Sequence, residues 1–297
     1  MPLPLSYPGI KCILENLEAV KRAHIIARSP GLQKINKLIP ICSENLTIAC
    51  NNLTINKLLI EYDKDEVKFE MNGRRLRRHV SDSQENAMKK LINFYICGRS
   101  IARVDKLYWF PRLHPNLMPV NLKIRVNSLE PFFDFETAIP FIDPRSFPLK
   151  TVVAILEDST LFDNQVVKLA KSLILILIHY QRVTVEDLKK LNNNTVEFNR
   201  DYHSRIDIIQ FIKYQIETKK ATETTFVISA DSKFVMDRML SEFELAFGDF
   251  RLDGVIERFL PESSGFSIPI NNNSRVHAYA TEKSPYGGCK LIVKPVS

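Results

Sequence analysis

"LILILI", Leu173–Ile178, is the most apolar run in the chain, and its reading decides the fold. Six residues are far too few to cross a bilayer as a helix, which takes about 20. Alternating leucine with β-branched isoleucine favours a strand. A strand apolar at every position is expected to be covered on both faces, as strands of a parallel sheet are. Working outward, "KTVVAIL" (Lys150–Leu156), "NTVEF" (Asn194–Phe198) and "TTFVIS" (Thr224–Ser229) read as further strands. Helical spacing fills the intervals over 163–171, 184–191 with Thr184 as cap, and 204–217; an amphipathic helix follows over 232–247.

Strand centres fall at Val152, Ile174 and Val196, about 22 residues apart, and at Val227, about 31 further on. These intervals approach leucine-rich-repeat spacing, although the Leu-x-x-Leu-x-Leu-x-x-Asn consensus is absent. The fold class expected is therefore α/β, with a repetitive βα layer resembling a leucine-rich-repeat array and helices on one face. Alternation returns at 266–270, 275–281 and 289–296, with Pro285-Tyr286-Gly287-Gly288 as a hairpin turn. Upstream, "LTIAC", "LTINKLLIEY" and "EVKFEM" read as strands, with turns at Asp63-Lys64-Asp65 and Asn72-Gly73. Residues 83–99 look helical, with Ala87, Leu91 and Phe94 on one stripe and a possible change to strand near Phe94–Cys97. "LKIRVNSL" (122–129) is a strand, and the Pro- and Phe-rich stretch 131–148 is a connector lying on the core. The divisions expected are 1–40 helical, 41–145 strand-rich, and 146–297 βα layer with C-terminal strands.

Lys+Arg number 41 against 34 Asp+Glu, a net +7 spread along the chain, and the pI is near 9.1. That excess is too mild and diffuse to point to nucleic acid. Sixteen prolines against nine glycines argue against a glycine-rich-loop enzyme. The five cysteines, Cys12, Cys42, Cys50, Cys97 and Cys289, form no CxxC pair and are odd in number, so reduced and mostly buried thiols are expected. "MPLPL" is no signal peptide, and no run suits a bilayer, so an intracellular, cytoplasmic or nuclear location off the membrane is expected. Asn-x-Ser/Thr sequons at Asn45, Asn52, Asn193 and Asn272 are then chance matches.

The six histidines are scattered, without metal-ligand spacing, and phosphate-loop, dinucleotide and nucleophile-elbow motifs are absent. His179-Tyr180 and His203 read as polar residues ending buried strands, and Asp134 and Glu136 as loop charges. No cofactor, metal or catalytic group is expected. In "NGRRLRRHV", Arg74, Arg75, Arg77 and Arg78 can meet a phosphate backbone, or form the solvated side of a strand with Leu76 or Val80 turned inward. The second reading is favoured, since no aromatic residues interleave for base stacking. Trp109 reads as core or as a lid over the sheet.

The opening stretch remains. Ile10, Ile13, Leu14 and Leu17 share a helical face, with Ser6 as cap and Pro8 in the first turn. A second helix runs through Val20, Ala23, Ile26 and Ala27 to a Ser29-Pro30-Gly31 stop, where glycine accepts positive φ; Leu32 and Ile35 make a short third turn. Leu5, Pro8, Ile13-Leu14, Leu17, Ile26, Ser29, Leu32 and Ile35 resemble an F-box. The whole chain resembles the nematode-expanded family of F-box-like proteins with an associated domain of unknown function, carried by "LSYPGIKCILENLEAVKRAHIIARSPGLQKI", "LTIACNNLTINKLLIEY" and "FSIPINNNSRVHAYA". The resemblance implies docking onto the small adaptor subunit of cullin-RING ubiquitin ligases through Leu5, Pro8, Ile10, Ile13, Leu14, Leu17, Ile26 and Leu32. It also implies recognition of a target protein elsewhere on the chain. A scaffold whose F-box-like helices are structural is the alternative. Exposed Ile10, Ile13 and Leu17 favour docking, and covered ones favour the scaffold.

Overall fold

The structure is a computed structural model and describes residues 7–96, 102–110, 118, 122–131, 135–178, 180–200, 203–230, 232–252, 265–282 and 288–296. Leu5, Ser6, Cys97, His114, Asp134, His179 and the turn expected at 285–287 lie outside the described residues. The chain forms two compact units, Met1–Phe147 and Pro148–Ser297.

The first unit opens with helices α1 (Tyr7–Asn16), α2 (Ala19–Ala27) and α3 (Pro30–Lys37). The Glu18 carboxylate caps α2, accepting from the amides of Val20 (3.0 Å) and Lys21 (3.1 Å). Ser29-Pro30-Gly31 is a start rather than a stop. Helix α2 already ends at Ala27, and Pro30 opens α3, where its missing N–H costs no hydrogen bond. Gly31 sits inside α3 without positive φ, and α3 is a full helix rather than a short turn.

Strands β1 (Ile41–Ile48), β2 (Asn52–Ile55), β3 (Leu58–Asp63), β4 (Glu66–Met71) and β5 (Arg74–His79) follow as an antiparallel meander. "LTINKLLIEY" is not one strand: it folds back at Asn56-Lys57. Asn56 takes a left-handed conformation (φ 53°), which asparagine tolerates, and its side-chain oxygen accepts from the amides of Glu44 (2.9 Å) and Asn45 (3.2 Å). Asn72-Gly73, both at positive φ, makes the expected hairpin turn. Helix α4 (Gln84–Tyr95), capped by Ser83, runs on past Phe94 instead of becoming a strand. It buries Ala87, Met88, Ile92 and Tyr95, a stripe rotated from the one expected, and leaves Phe94 exposed. Strands β6 (Ala102–Trp109) and β7 (Ile124–Pro131) complete the order β7-β6-β1-β2-β3-β4-β5, with β1, β6 and β7 parallel. Trp109 is core: its indole N–H donates to Thr137 (2.9 Å) and its ring stacks on Phe141 (5.3 Å), which pins the proline-rich connector onto the unit.

The second unit contains β8 (Thr151–Leu156), α5 (Gln165–Leu169), β9 (Ser172–Leu177), β10 (Arg182–Val183), α6 (Val185–Lys189), β11 (Thr195–Arg200), β12 (Arg205–Ile206), α7 (Ile208–Thr218), β13 (Thr225–Ala230) and α8 (Lys233–Phe247). It ends with β14 (Arg251–Leu252), β15 (Gly265–Asn271), β16 (Ser274–Glu282) and β17 (Cys289–Val296). The order is β14-β15-β16-β17-β13-β11-β9-β8; β8, β9, β11 and β13 are parallel neighbours, and the remainder pair antiparallel. The fold is thus mixed α/β with a large share of sheet. Thr184 caps α6 in a reciprocal box with Asp187. The helix expected over 163–171 is only the short α5, behind a 3₁₀ turn at Ser159–Asp163.

Coverage of the parallel strands differs from expectation. Val152, Ala154, Leu156, Leu173, Leu175 and Leu177 are buried, while Val153, Ile155, Ile174 and Ile176 are only partly so. The helices serve the first set of positions: Phe211 of α7 meets Phe226 edge-on (5.6 Å), and Phe243 of α8 meets Phe266 (5.9 Å). One face is core and the other is open, despite its isoleucines.

Candidate interaction surfaces

The three N-terminal helices close a small core of Leu14, Ile26 and Ile39, with Ile10, Leu32 and Ile35 partly buried against it. Arg22, 2% exposed, ties this core together. Its guanidinium donates to the carbonyls of Leu14 (3.1 Å), Ile39 (3.1 Å) and Pro40 (2.8 Å), joining the end of α1 to the exit from α3. Burial lowers its pKa from the usual guanidinium value, while three carbonyl dipoles compensate the buried charge. Of the residues the F-box resemblance selects, Leu14 and Ile26 are therefore inside. Ile10, Leu17 and Leu32 are half-buried, and Pro8 and Ile13 (49%) are exposed. Ile25 (43%) and Leu38 (67%) are exposed on the same helical module, and the sequence reading missed both.

The basic run is split by its own strand. Residues alternate across a strand, so Arg74, Leu76 and Arg78 share one side of β5, opposite Met71, Phe69 and the buried Val67. Arg75 and Arg77 lie on the other side, paired with Glu70 (2.8 Å) and Glu66 (3.9 Å). Leu76 is not turned inward; it is 54% exposed.

The open face of the second unit was not singled out from sequence. Register aligns Val153, Ile174, Glu197, Val227, Ile292 and Tyr279 in one row across six strands. Ile155, Ile176, Asn199, Ser229 and Lys290 form the next. At its centre the Glu197 carboxylate accepts from the Ser229 hydroxyl (2.9 Å) and the Lys290 ammonium (2.8 Å). The neighbouring Asn199 side-chain oxygen is buried without a hydrogen-bond partner among the described residues. A polar centre ringed by half-exposed aliphatics has the composition of a recognition surface. The signal lay in "NTVEFNR", where Glu and Asn occupy alternate positions among otherwise apolar strands. His277, further along this face, has its pKa lowered by burial and then by Arg275 and Lys294.

Other candidates resolve into structure. The His24 ring meets the Tyr95 hydroxyl (3.3 Å), and His203 packs on Tyr180 (4.7 Å). Glu136 is exposed in a 3₁₀ turn, not on a strand face. Cys12 and Cys42 are exposed and Cys50 half-buried, so only Cys289 among the described thiols is buried as expected. Asn193 is buried, donating to the carbonyls of Val167 (2.8 Å) and Ala170 (2.6 Å). Among the described residues no cluster of three or more His, Cys, Asp or Glu is placed to hold a metal ion. No helix among them is long and apolar enough to cross a membrane.

Residues 84–232, just over half of the chain, match the model of a domain of unknown function, DUF3557. The chain belongs to this family. The DUF3557 match starts with the first residue of α4 and ends just past β13, so it takes in the four parallel strands of the second unit. No curated protein and no solved structure matches the chain.

Proposed function

We propose that this DUF3557 protein is a non-catalytic protein-interaction subunit: an F-box-like substrate-recognition component that docks onto the small adaptor of a cullin-RING ubiquitin ligase. On this reading it sits with the nematode-expanded F-box-like proteins. The open βα face, arranged as in a leucine-rich-repeat array, is where it meets its target. The carrying observation is the division of labour in α1–α3. Leu14 and Ile26 close the module's own core, while Pro8, Ile13, Ile25 and Leu38 remain outside as apolar groups for a partner. Exposed aliphatics on a rigid helical module suit a helix-in-groove contact.

Co-purification with the adaptor tests this. The full chain co-elutes with it, and Ile13→Asp abolishes co-elution without lowering the melting temperature, because an exposed substitution costs within about 0.5 kcal/mol. Leu14→Asp unfolds the module whether or not it docks, since it buries a carboxylate, so Ile13 is the discriminating position. Arg22 favours the second reading, a scaffold in which α1–α3 are structural, because it welds the helices to the start of β1. A folded full chain that ignores the adaptor establishes that second reading.

A further inference from the structure

Beside the basic hairpin lies a cleft of about 520 Å³ within the first unit. Its apolar lining includes Phe69 and Met71 of β4, Leu76 of β5 and Phe94 of α4, with Leu76 and Phe94 among the most exposed large apolar groups of the unit. Arg28, Arg74, Arg75 and Arg78 stand around it, Arg75 with its guanidinium held by Glu70 (2.8 Å), and no acidic side chain is among its lining residues. Edge strands commonly carry charge to prevent unwanted pairing, and Arg75 and Arg77 with their glutamates fit that role. Arg74 and Arg78 differ. They face the apolar side and have no acidic partner among the described residues, and Arg78 is near enough to Tyr95 to act on its phenol. Strand β5 is the last strand of its order, so one row of its backbone N–H and C=O groups has no strand partner among the described residues.

These features fix what can bind. On the cleft side β5 presents cation, aliphatic, cation at alternate positions, with the Cα atoms of the two arginines about 13 Å apart by strand rise. A strand added to this edge places its own alternate side chains directly opposite. We infer that the β5 edge and its cleft bind an extended protein segment of the form acidic-x-apolar-x-acidic by strand addition. Its carboxylates meet Arg74 and Arg78, and its apolar residue packs on Leu76 towards Phe94. A phosphate backbone is the poorer fit: it has no apolar group for Leu76, and two of the four strand arginines, Arg75 and Arg77, are already paired with glutamates. The cleft takes part of its lining from α2, but Ile13 is not among its lining residues, so Ile13→Asp leaves it intact.

The test is selection of a randomised twelve-residue peptide library on the full chain, followed by fluorescence anisotropy with the recovered peptides. The expected result is recovery of acidic-x-apolar-x-acidic sequences. Arg74→Gln/Arg78→Gln weakens their binding at least about tenfold, the scale of one or two charge-assisted hydrogen bonds. Arg75→Gln/Arg77→Gln, which removes the same charge from the two arginines already paired with glutamates, leaves binding within about twofold. Both variants alter exposed side chains, and circular dichroism confirms their folding. Selection that yields no such spacing, or equal weakening by the two double variants, overturns the inference. So does a labelled 20-nucleotide single strand that displaces the peptides and is weakened equally by both variants.

Discussion

The parallel strands of the two units start from one rule, and only the first unit breaks it. In the second unit β8 and β9 alternate strictly and β11 alternates through Asn199, and their outward side chains include Val153, Ile155, Ile174 and Ile176 beside Glu197 and Asn199. In the first unit β1, β6 and β7 slip at one level: Glu44-Asn45, Asp105-Lys106 and Asn127-Ser128 are successive residues left outside the core in three neighbouring strands. The Asn127 amide bridges to Asp105 (2.8 Å) at that step. Beyond it Leu46, Leu107 and Leu129 resume the inward positions. The first face is consequently polar, with Cys42, Arg103 and Arg125 on one row. Strict alternation builds an oily open face, and a stacked slip builds a wet one.

The largest effect that sharpens this contrast comes from one residue step. Leu175→Thr, on the inward side of β9, is expected to destabilise the second unit by about 3 kcal/mol, by cavity formation and hydroxyl burial. Ile176→Thr, on the open side, should cost about 1 kcal/mol or less. Urea unfolding of both variants measures the difference, and equal costs would break the one-sided description. Next, Arg22→Met strands three buried carbonyls and should destabilise the first unit by about 2–3 kcal/mol, read the same way. Smaller again, Lys290→Met removes the half-buried partner of Glu197 and should cost about 1 kcal/mol in the second unit alone.

Two further effects are read in pH. Asp143 is held near pKa 2 by hydrogen bonds from the side chain and backbone of Arg145. A depressed carboxylate stabilises the fold above its unfolded value, and that contribution fades as pH falls from about 4 towards 2. Asp143→Asn should flatten acid unfolding in that window. His277 acts on the other unit: the unfolded chain protonates first, so stability declines as pH drops below about 6.5 and levels off below the lowered folded pKa. His277→Gln should remove this step from a series of melts at stepped pH.

The same contrast explains what was legible from sequence. The βα layer around "LILILI" was readable because period-two burial and capped helices agree along it, as at Thr184. Strand β6 was missed: Asp105-Lys106 puts two charges side by side and destroys the alternation that reveals a strand. The hairpin at Asn56 was missed because its turn depends on a side chain reaching back to the amides of Glu44 and Asn45, a contact distant in sequence. The open face could not be read from "LILILI" for another reason. The two alternate sets of "LILILI" are equally aliphatic, and only the placement of the helices decides which is core.

Trp109 gives these experiments a natural handle. It is the chain's single tryptophan, buried in the first unit under Phe141 and hydrogen-bonded to Thr137. Selective indole excitation therefore reports the melting of that unit alone, while far-ultraviolet circular dichroism reports both. Two transitions that separate under these probes would turn a single denaturation curve into two assigned ones, with no label added to the protein.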